Sequence, residues 1–419
     1  MVESTSWGLK QDTGLQIELD RVTDRAIEKI VAKKITPEKV QVLQDPQSPR
    51  SERARLNLYR LNGNEQAAIA GLFSKQPIAY SGLQLLYDRT PDFFSLLRAR
   101  GSASAVIAAR LDESKELWGL GSMSLREGYF DHERARVAYL GDLRMLLSRN
   151  TARVWRQLYN QLLKDVAKEL GVRGFLTAIV GDNKVALRSL VSRRNSEFVY
   201  EPLGRLRLLG ILGRKSLLAN GRRRLDANRI LLGDAAESEF SRFYAERAPL
   251  MRHGWCETPD AGLAIVIKNR KGETKIAARL VSPDAMKRMR IRSIDWKTRA
   301  ILQTLRVTGV QPPVAGTAFT TTYLSWVCFG AETTPVEKRH ALIEMIDVCL
   351  ESKAVQDMGI MNSMLIVPDT IGLSLRELGG RFHHSTPVEL FEVRPDDSVV
   401  KPDLRSQLLQ DVGFEMSLI

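Results

Sequence analysis

Val137-Ala138-Tyr139-Leu140-Gly141-Asp142-Leu143-Arg144-Met145 is an apolar strand that runs into a polar turn, Leu147-Ser148-Arg149-Asn150-Thr151-Ala152. A helix follows from near Arg153 to Leu170, then the strand Phe175-Leu176-Thr177-Ala178-Ile179-Val180 and the turn Gly181-Asp182-Asn183-Lys184-Val185-Ala186. The order decides the fold class. A strand that ends at a helix N-terminus aims free backbone N–H groups and the positive end of the helix dipole at one spot, which suits a phosphate.

Upstream of this stretch, Leu56-Asn57-Leu58-Tyr59-Arg60 reads as a short strand, and Asn64 is placed to cap a helix through Ile69, Leu72 and Phe73. Pro91 suits the first turn of a helix through Phe93, Phe94, Leu96 and Leu97. Ala105-Val106-Ile107-Ala108-Ala109-Arg110-Leu111 then pairs with Leu117-Trp118-Gly119-Leu120-Gly121-Ser122-Met123 across the polar turn Asp112-Glu113-Ser114-Lys115, a hairpin signal. The strand at 137–145 makes a third antiparallel neighbour.

Downstream, the same order returns. Arg229-Ile230-Leu231-Leu232 precedes a helix through Glu239, Phe240 and Tyr244, and Leu263–Lys268 with Lys275–Leu280 repeats the hairpin. Tyr323–Phe329 takes the place of the third strand, a helix runs from Arg339 to Val355, and the stretch 358–367 echoes 170–180. The expected organisation is a helical extension and linker over 1–52, one α/β unit over 53–218, a second over 219–397 and a tail over 398–419. Within the extension, apolar residues at helical spacing predict an amphipathic helix over 15–34.

A chain of 419 residues exceeds one ordinary core. Its 44% hydrophobic and 26% charged residues describe a globular protein, and no stretch approaches the ~20 apolar residues of a membrane-spanning helix. The first residues do not read as a secretory leader. Three scattered cysteines (Cys256, Cys328 and Cys349) fit buried thiols in a reducing cytoplasm rather than a disulfide framework. Five histidines, with His383-His384 the one adjacent pair, give no basis for a metal centre. The net charge is +13, and basic residues cluster in Arg222-Arg223-Arg224 and Lys287-Arg288-Met289-Arg290-Ile291-Arg292. Neither lies in a nucleic-acid-binding motif, so solvated surface is the reading of both; an anionic cofactor or partner is the sharper alternative for the charge.

Tyr139-Leu140-Gly141-Asp142-Leu143-Arg144-Met145, with Arg149 four residues on and a helix beyond, resembles the GNAT superfamily of acyl-CoA-dependent N-acetyltransferases. Asp182-Asn183-Lys184-Val185-Ala186-Leu187 is similar to that family's Asn-x-x-Ala stretch, and the whole chain looks like two such units in tandem. The resemblance implies a mixed, largely antiparallel sheet flanked by helices, and acetyl-CoA or a longer acyl-CoA as co-substrate with an amine as acceptor. It implies that the pantetheine arm lies in a wedge between two splayed parallel strands, with Leu143 and Met145 as strand contacts. Arg149, Asn150, Thr151, Ala152, Arg153 and Val154 would form the phosphate turn, and Asn183 would lie near the far end of the arm.

The sequence also departs from that pattern. Ala152 and Val154 replace the two glycines of the turn, and the valine crowds the path of a phosphate, so that glycine at 154 would open it. Leu190 stands where a general-acid tyrosine is usual. The matching turn of the second unit, Gly330-Ala331-Glu332-Thr333-Thr334-Pro335, lacks the arginine and carries a glutamate and a proline, which makes that unit non-binding. Acyl transfer to an amine needs a base and oxyanion donors. Asp142 is the nearest acidic candidate, on the face of Leu140 and Arg144 by strand alternation, with Arg144 as a possible ion-pair partner; Tyr139 and Glu133 are weaker candidates. Two functions follow as expectations: an N-acyltransferase working through the first unit, or a protein that keeps the fold and binds acyl-CoA without efficient chemistry.

Overall fold

Alternating apolar residues between short polar turns produce strands throughout the chain, and the computed structural model shows where they pair. It describes residues 56–61, 63–80, 82–111, 117–146, 149–191, 197–212, 229–250, 253–256, 262–305, 314–331, 333–357, 364–381, 383–395 and 412–413. The helix expected over 15–34, the linker after it, Arg222-Arg223-Arg224 and the three expected unit boundaries lie outside the described residues.

The first half runs β1 (Leu56–Arg60), α1 (Gln66–Lys75), β2 (Ile78–Tyr80), β3 (Leu83–Arg89), α2 (Phe93–Arg100), β4 (Ala103–Leu111), β5 (Leu117–Phe130), β6 (Glu133–Met145), α3 (Arg149–Leu170), β7 (Val172–Val180) and β8 (Phe198–Leu212). The second runs β9 (Ile230–Leu232), α4 (Asp234–Arg247), β10 (His253–Trp255), β11 (Leu263–Lys268), β12 (Thr274–Val281), β13 (Lys287–Ile294), α5 (Trp296–Leu305), β14 (Ala318–Phe319), β15 (Thr321–Phe329), α6 (Pro335–Glu351), β16 (Met364–Asp369) and β17 (His383–Pro395). A short β18 (Val412–Gly413) pairs with β10.

Local chemistry sets several element ends. Asp92 caps α2 by accepting from the Ser95 N–H at 2.7 Å, which puts Pro91 just outside the helix. Asn64 falls inside a 3-10 turn over Gly63–Glu65, so the N-cap position of α1, which starts at Gln66, is Glu65 rather than Asn64. Thr334 and Glu337 form a reciprocal capping box on α6, with Pro335 at its start.

The principal sheet has the order β1-β4-β5-β6-β7-β17-β8-β16-β15-β12-β11-β9. Read inward from each edge, the two halves match: β1, β4, β5, β6 and β7 against β9, β11, β12, β15 and β16, with β6–β7 and β15–β16 the parallel pairs. The last strands are exchanged. β8 of the first half pairs with β16 of the second, β17 of the second pairs with β7 of the first, and β8 and β17 pair with each other over most of their length. The two sheets expected from the sequence are therefore joined into one.

Trp155, Leu163 and Val166 of α3 pack on Ile107, Leu125 and Phe175, while Leu342, Met345 and Ile346 of α6 pack on Ile265, Leu324 and Leu365. β8 gives Phe198 to the α3 core and, beyond a register shift at Leu203, Leu209 and Ile211 to the α6 core. Both helices thus cover the same face. The opposite face carries α1 and α2 on Val106, Ala108 and Leu120, α4, and a second sheet of order β14-β13-β3-β2. This small sheet is built from both halves and sits over the centre, with Leu85, Met289 and Ile291 packed against the cluster that holds Tyr139, Leu176, Tyr323 and Ile366. Each large apolar side chain so buried contributes about 1.5–3 kcal/mol, so the centre tolerates a gap in strand pairing. Among the described residues no helix is long and apolar enough to cross a membrane.

Candidate functional site

β6 and β7 part company. They pair in parallel from Arg136/Val172 to Leu140/Thr177 and no further. Beyond that point β6 continues on β5 as far as Met145, while β7 stays with β17 as far as Val180. The Thr177 hydroxyl donates to the Leu140 carbonyl at 2.9 Å and closes the last rung. The Ala178 N–H, next along β7, is bonded to the Tyr139 hydroxyl. An open wedge follows.

A β-bulge shapes its β6 edge. Ser122 opposes Gly141 and Leu120 opposes Arg144, so Asp142 and Leu143 together face Gly121, and Asp142 takes φ +52°. The extra residue reverses the alternation. Ala138 and Leu140 face α3 before it, and Leu143 and Met145 do so after it. Asp142 therefore does not share a face with Leu140 as alternation predicts; it points to the opposite side, among Ser122, Arg89 and Arg100. The Leu146 N–H donates to the Trp118 carbonyl at 2.7 Å, so residues 144 and 146 turn their backbone groups to β5, and Leu143 and Met145 turn theirs to the wedge. On that side Gln76 donates to the Met145 carbonyl, and Arg144 Nη1 to that of Leu143 at 3.3 Å.

α3 starts at Arg149, four residues before the sequence pattern places it, because the polar turn coils into the helix. Arg149, Asn150 and Thr151 lie in its first turn, where N–H groups have no partner within the helix, and Ala152 completes that turn. Arg153 and Val154 fall in the next turn, where N–H groups bond carbonyls four residues back. Asn183 follows the free end of β7; it is exposed, and its side-chain oxygen accepts from the Ala186 N–H at 3.0 Å. Leu190 lies in the short helical turn beyond.

Asp142 is clamped. Its carboxylate is paired with Arg89 from β3 and with Arg100 from the end of α2 at 2.7 Å, and accepts from Ser122 at 2.8 Å. Arg144 is not its partner but lies over the Phe73 ring at 5.3 Å. The Asp142 side chain is 7% exposed. Burial alone would raise its pKa, but Arg89, Arg100 and the Ser122 bond together hold it far below the ordinary carboxylate range. A carboxylate so committed is a poor base. Tyr139 is buried on the same side with Arg100 over its ring at 5.6 Å, and desolvation pushes its hydroxyl up to about 12. Glu133 lies at the far end of β6, exposed and paired with Arg173.

Three further residues lie here: Arg89 and Arg100, which the sequence reading passed over, and Lys287, which it placed on a solvated surface and the structure buries. Lys287 is buried beneath the small sheet, its ammonium 5.2 Å from the Tyr87 ring and 5.7 Å from that of Tyr323. Burial, then Arg89 and Arg100, push its pKa well down. One signal for it existed. Lys287 shares its strand face with the apolar Met289 and Ile291, whereas Arg288, Arg290 and Arg292 alternate outward and are exposed as expected. Nothing local marks Arg89 or Arg100, whose partner Asp142 is distant in sequence.

The second half repeats the geometry with other chemistry. β15 and β16 pair only from Thr321/Met364 to Tyr323/Ile366. Arg279 opposes Ser325 and Ala277 opposes Cys328, so Trp326 and Val327 face Ala278 across a bulge, with Trp326 at φ +59°. The start of α6 is occupied by its own capping box. Arg339 is engaged by Glu377 and by the carbonyls of Ile371 and Gly372.

No protein-family model matches the chain, and no curated sequence matches it. Solved structures do. The chain is similar to Saccharomyces cerevisiae N-myristoyltransferase with bound myristoyl-CoA, at 10% identity and a TM-score of 0.52, over 91% of this chain and 89% of that one. A second structure of that enzyme with myristoyl-CoA aligns at 11% identity and a TM-score of 0.52, over 91% of this chain and 96% of the other. The fold is therefore that of the GNAT-type acyl-CoA acyltransferases, taken over nearly the whole length of the chain.

Proposed function

We propose that this chain is an acyl-CoA-dependent N-acyltransferase whose chemistry takes place at the β6–β7 wedge of the first half. The observation that carries the proposal is the parting of these strands after Leu140 and Thr177, with a bulge that turns the backbone of Leu143 and Met145 into the gap. In this reading those backbone groups hold the extended pantetheine arm as an added strand would be held. The free N–H groups of Arg149, Asn150 and Thr151, at the positive end of α3, hold the pyrophosphate. Asn183, beyond the free end of β7, bounds the far side. A bound acyl-CoA would supply the activated thioester, and the chain's own residues align it and keep the fork open.

The amine proton is not assigned to Asp142, because its two arginines keep it ionised and occupied. That residue shapes the fork instead. The second half serves as scaffold, since its helix start is capped internally and a tryptophan stands at its bulge.

The acyl length is open between acetyl and longer chains. The similar yeast enzyme is seen with myristoyl-CoA, so the donor series to test runs from acetyl to myristoyl. Thiol release from each donor in the presence of a panel of amines is the test. Amine-dependent release supports the transferase, and binding without release supports an acyl-CoA-binding protein that lacks the chemistry. Absence of both contradicts the proposal.

A further inference from the structure

On the face of the principal sheet opposite α3, two arginines next to the wedge have hydrogen-bonding capacity that the fold leaves unused. Arg89 lies over the Phe93 ring at 5.6 Å and Arg144 over the Phe73 ring at 5.3 Å, and these rings meet edge to face at 5.5 Å. One terminal nitrogen of Arg89 pairs with Asp142, yet its Nε and Nη1 are buried with no hydrogen-bond partner among the described residues, and so is Nε of Arg144. Buried N–H groups on a guanidinium are costly to leave unbonded, and native interiors satisfy them with protein, water or a bound ion.

Charge points the same way. Arg89, Arg100, Arg144 and Lys287 all act electrostatically on one another here, and the carboxylate that offsets them is Asp142. Among the described residues Asp142 is the carboxylate that acts on both Arg89 and Lys287, in a poorly solvated place where a further anion would be held strongly. Burial, then Arg89 and Arg100, depress the pKa of Lys287, and burial lowers that of Arg89 against the pull of Asp142. The apolar alternative, rings alone in this position, would need no such charges.

We propose that Arg89 and Arg144 form a binding site for an oxyanion, a carboxylate or phosphate carried by the acyl acceptor. The placement supports the source. Arg144 belongs to the wedge strand itself, between Leu143 and Met145, and its side chain leaves on the face away from α3. An acyl donor docked at the start of α3 approaches from one face, and an acceptor anchored by these arginines reaches the same fork from the other. The assignment to an acceptor rests on the transferase reading; the existence of an oxyanion site does not.

Inorganic phosphate and succinate, titrated into the full chain against potassium chloride at equal ionic strength, test the site by thermal unfolding. A ligand that binds only the folded state raises Tm in a saturable way. The site predicts such a rise with at least one probe, and an affinity lowered about tenfold by Arg144→Gln. No saturable rise in the wild type, or an equal rise in the variant, overturns the site whether or not acyl transfer is found. Among the described residues Arg144 pairs with no carboxylate, which makes its variant the gentler one; the wild-type titration decides even where that variant fails to fold. Acceptors compared as carboxylate and amide then identify the source. Preference for the carboxylate form, with phosphate competing against it, supports the acceptor; equal use of both forms, or phosphate binding without competition, overturns that assignment.

Discussion

Asp142 and Trp326 occupy the same position in the two halves of the chain, each the left-handed residue of a bulge at the fork between parallel strands, at φ +52° and +59°. A left-handed conformation costs an aspartate or a tryptophan of order 1–3 kcal/mol, and it persists where the surroundings over-determine it. The surroundings differ. Asp142 is fixed by two arginines and a serine, whereas Trp326 is fixed by packing, with Tyr244 edge-on at 5.5 Å and Arg126 over its ring at 5.6 Å. The backbone device is common to both halves; a carboxylate at the bulge, clamped by two arginines, belongs to the first.

Asp142→Asn leaves Arg89 and Arg100 buried without their carboxylate, so the variant should lose about 3–5 kcal/mol in urea unfolding at pH 7. The pH dependence has a defined sign. A carboxyl held below its unfolded value of about 3.9 contributes stability that is full above that pH and is lost as pH falls through the folded value. Wild-type stability should therefore decline on acidification below about pH 4, and this component should be missing from the variant. An unchanged acid limb would dismiss the clamp.

Val154→Gly should not tighten acyl-CoA binding, although the sequence pattern alone suggests that it would. Its N–H lies in the second turn of α3, bonded within the helix rather than offered to a phosphate. The expected result is unchanged affinity by calorimetry and a loss of about 0.5–1 kcal/mol from glycine in a helix.

Lys287→Met replaces a buried amine by an apolar chain of similar volume. The folded pKa of Lys287 lies well below 10.5, so the unfolded chain binds the additional proton and wild-type stability rises with pH until the unfolded lysine titrates. The variant should be at least as stable as wild type at pH 7, and its stability should be flatter between pH 7 and about 10. A large loss at pH 7, or an unchanged pH slope, would contradict this.

Thr334→Ala removes the cap of α6 and should cost about 1 kcal/mol by thermal unfolding. Acyl-CoA binding should be unaffected, because the proposed function places it at the wedge of the first half. A parallel loss of affinity would implicate the second half.

Much of this fold is legible in the sequence because its signals are local. The hairpin over β4 and β5, the strand–helix–strand over β6, α3 and β7, and their second appearance each show in apolar spacing within one stretch of chain. The small sheet was not legible. β3 and β13 pair across halves, from Arg89/Lys287 to Leu83/Ile294, and neither strand alone says what it will meet. The exchange of β8 and β17 is hidden for the same reason. At the site, Leu143 and Met145 are named through the family resemblance alone, and a single bulge reverses the strand alternation and sends Asp142 away from Leu140. The arginines that then claim it come from β3 and α2, and no spacing rule links those segments.

The central claim is that one wedge, and not two, receives an acyl-CoA. Isothermal titration of the full chain with acetyl-CoA and with a longer acyl-CoA measures this directly. Saturable binding of one equivalent of at least one donor is expected, weakened as salt screens the diphosphate. No heat of binding at millimolar ligand, or two equivalents per chain, would contradict it.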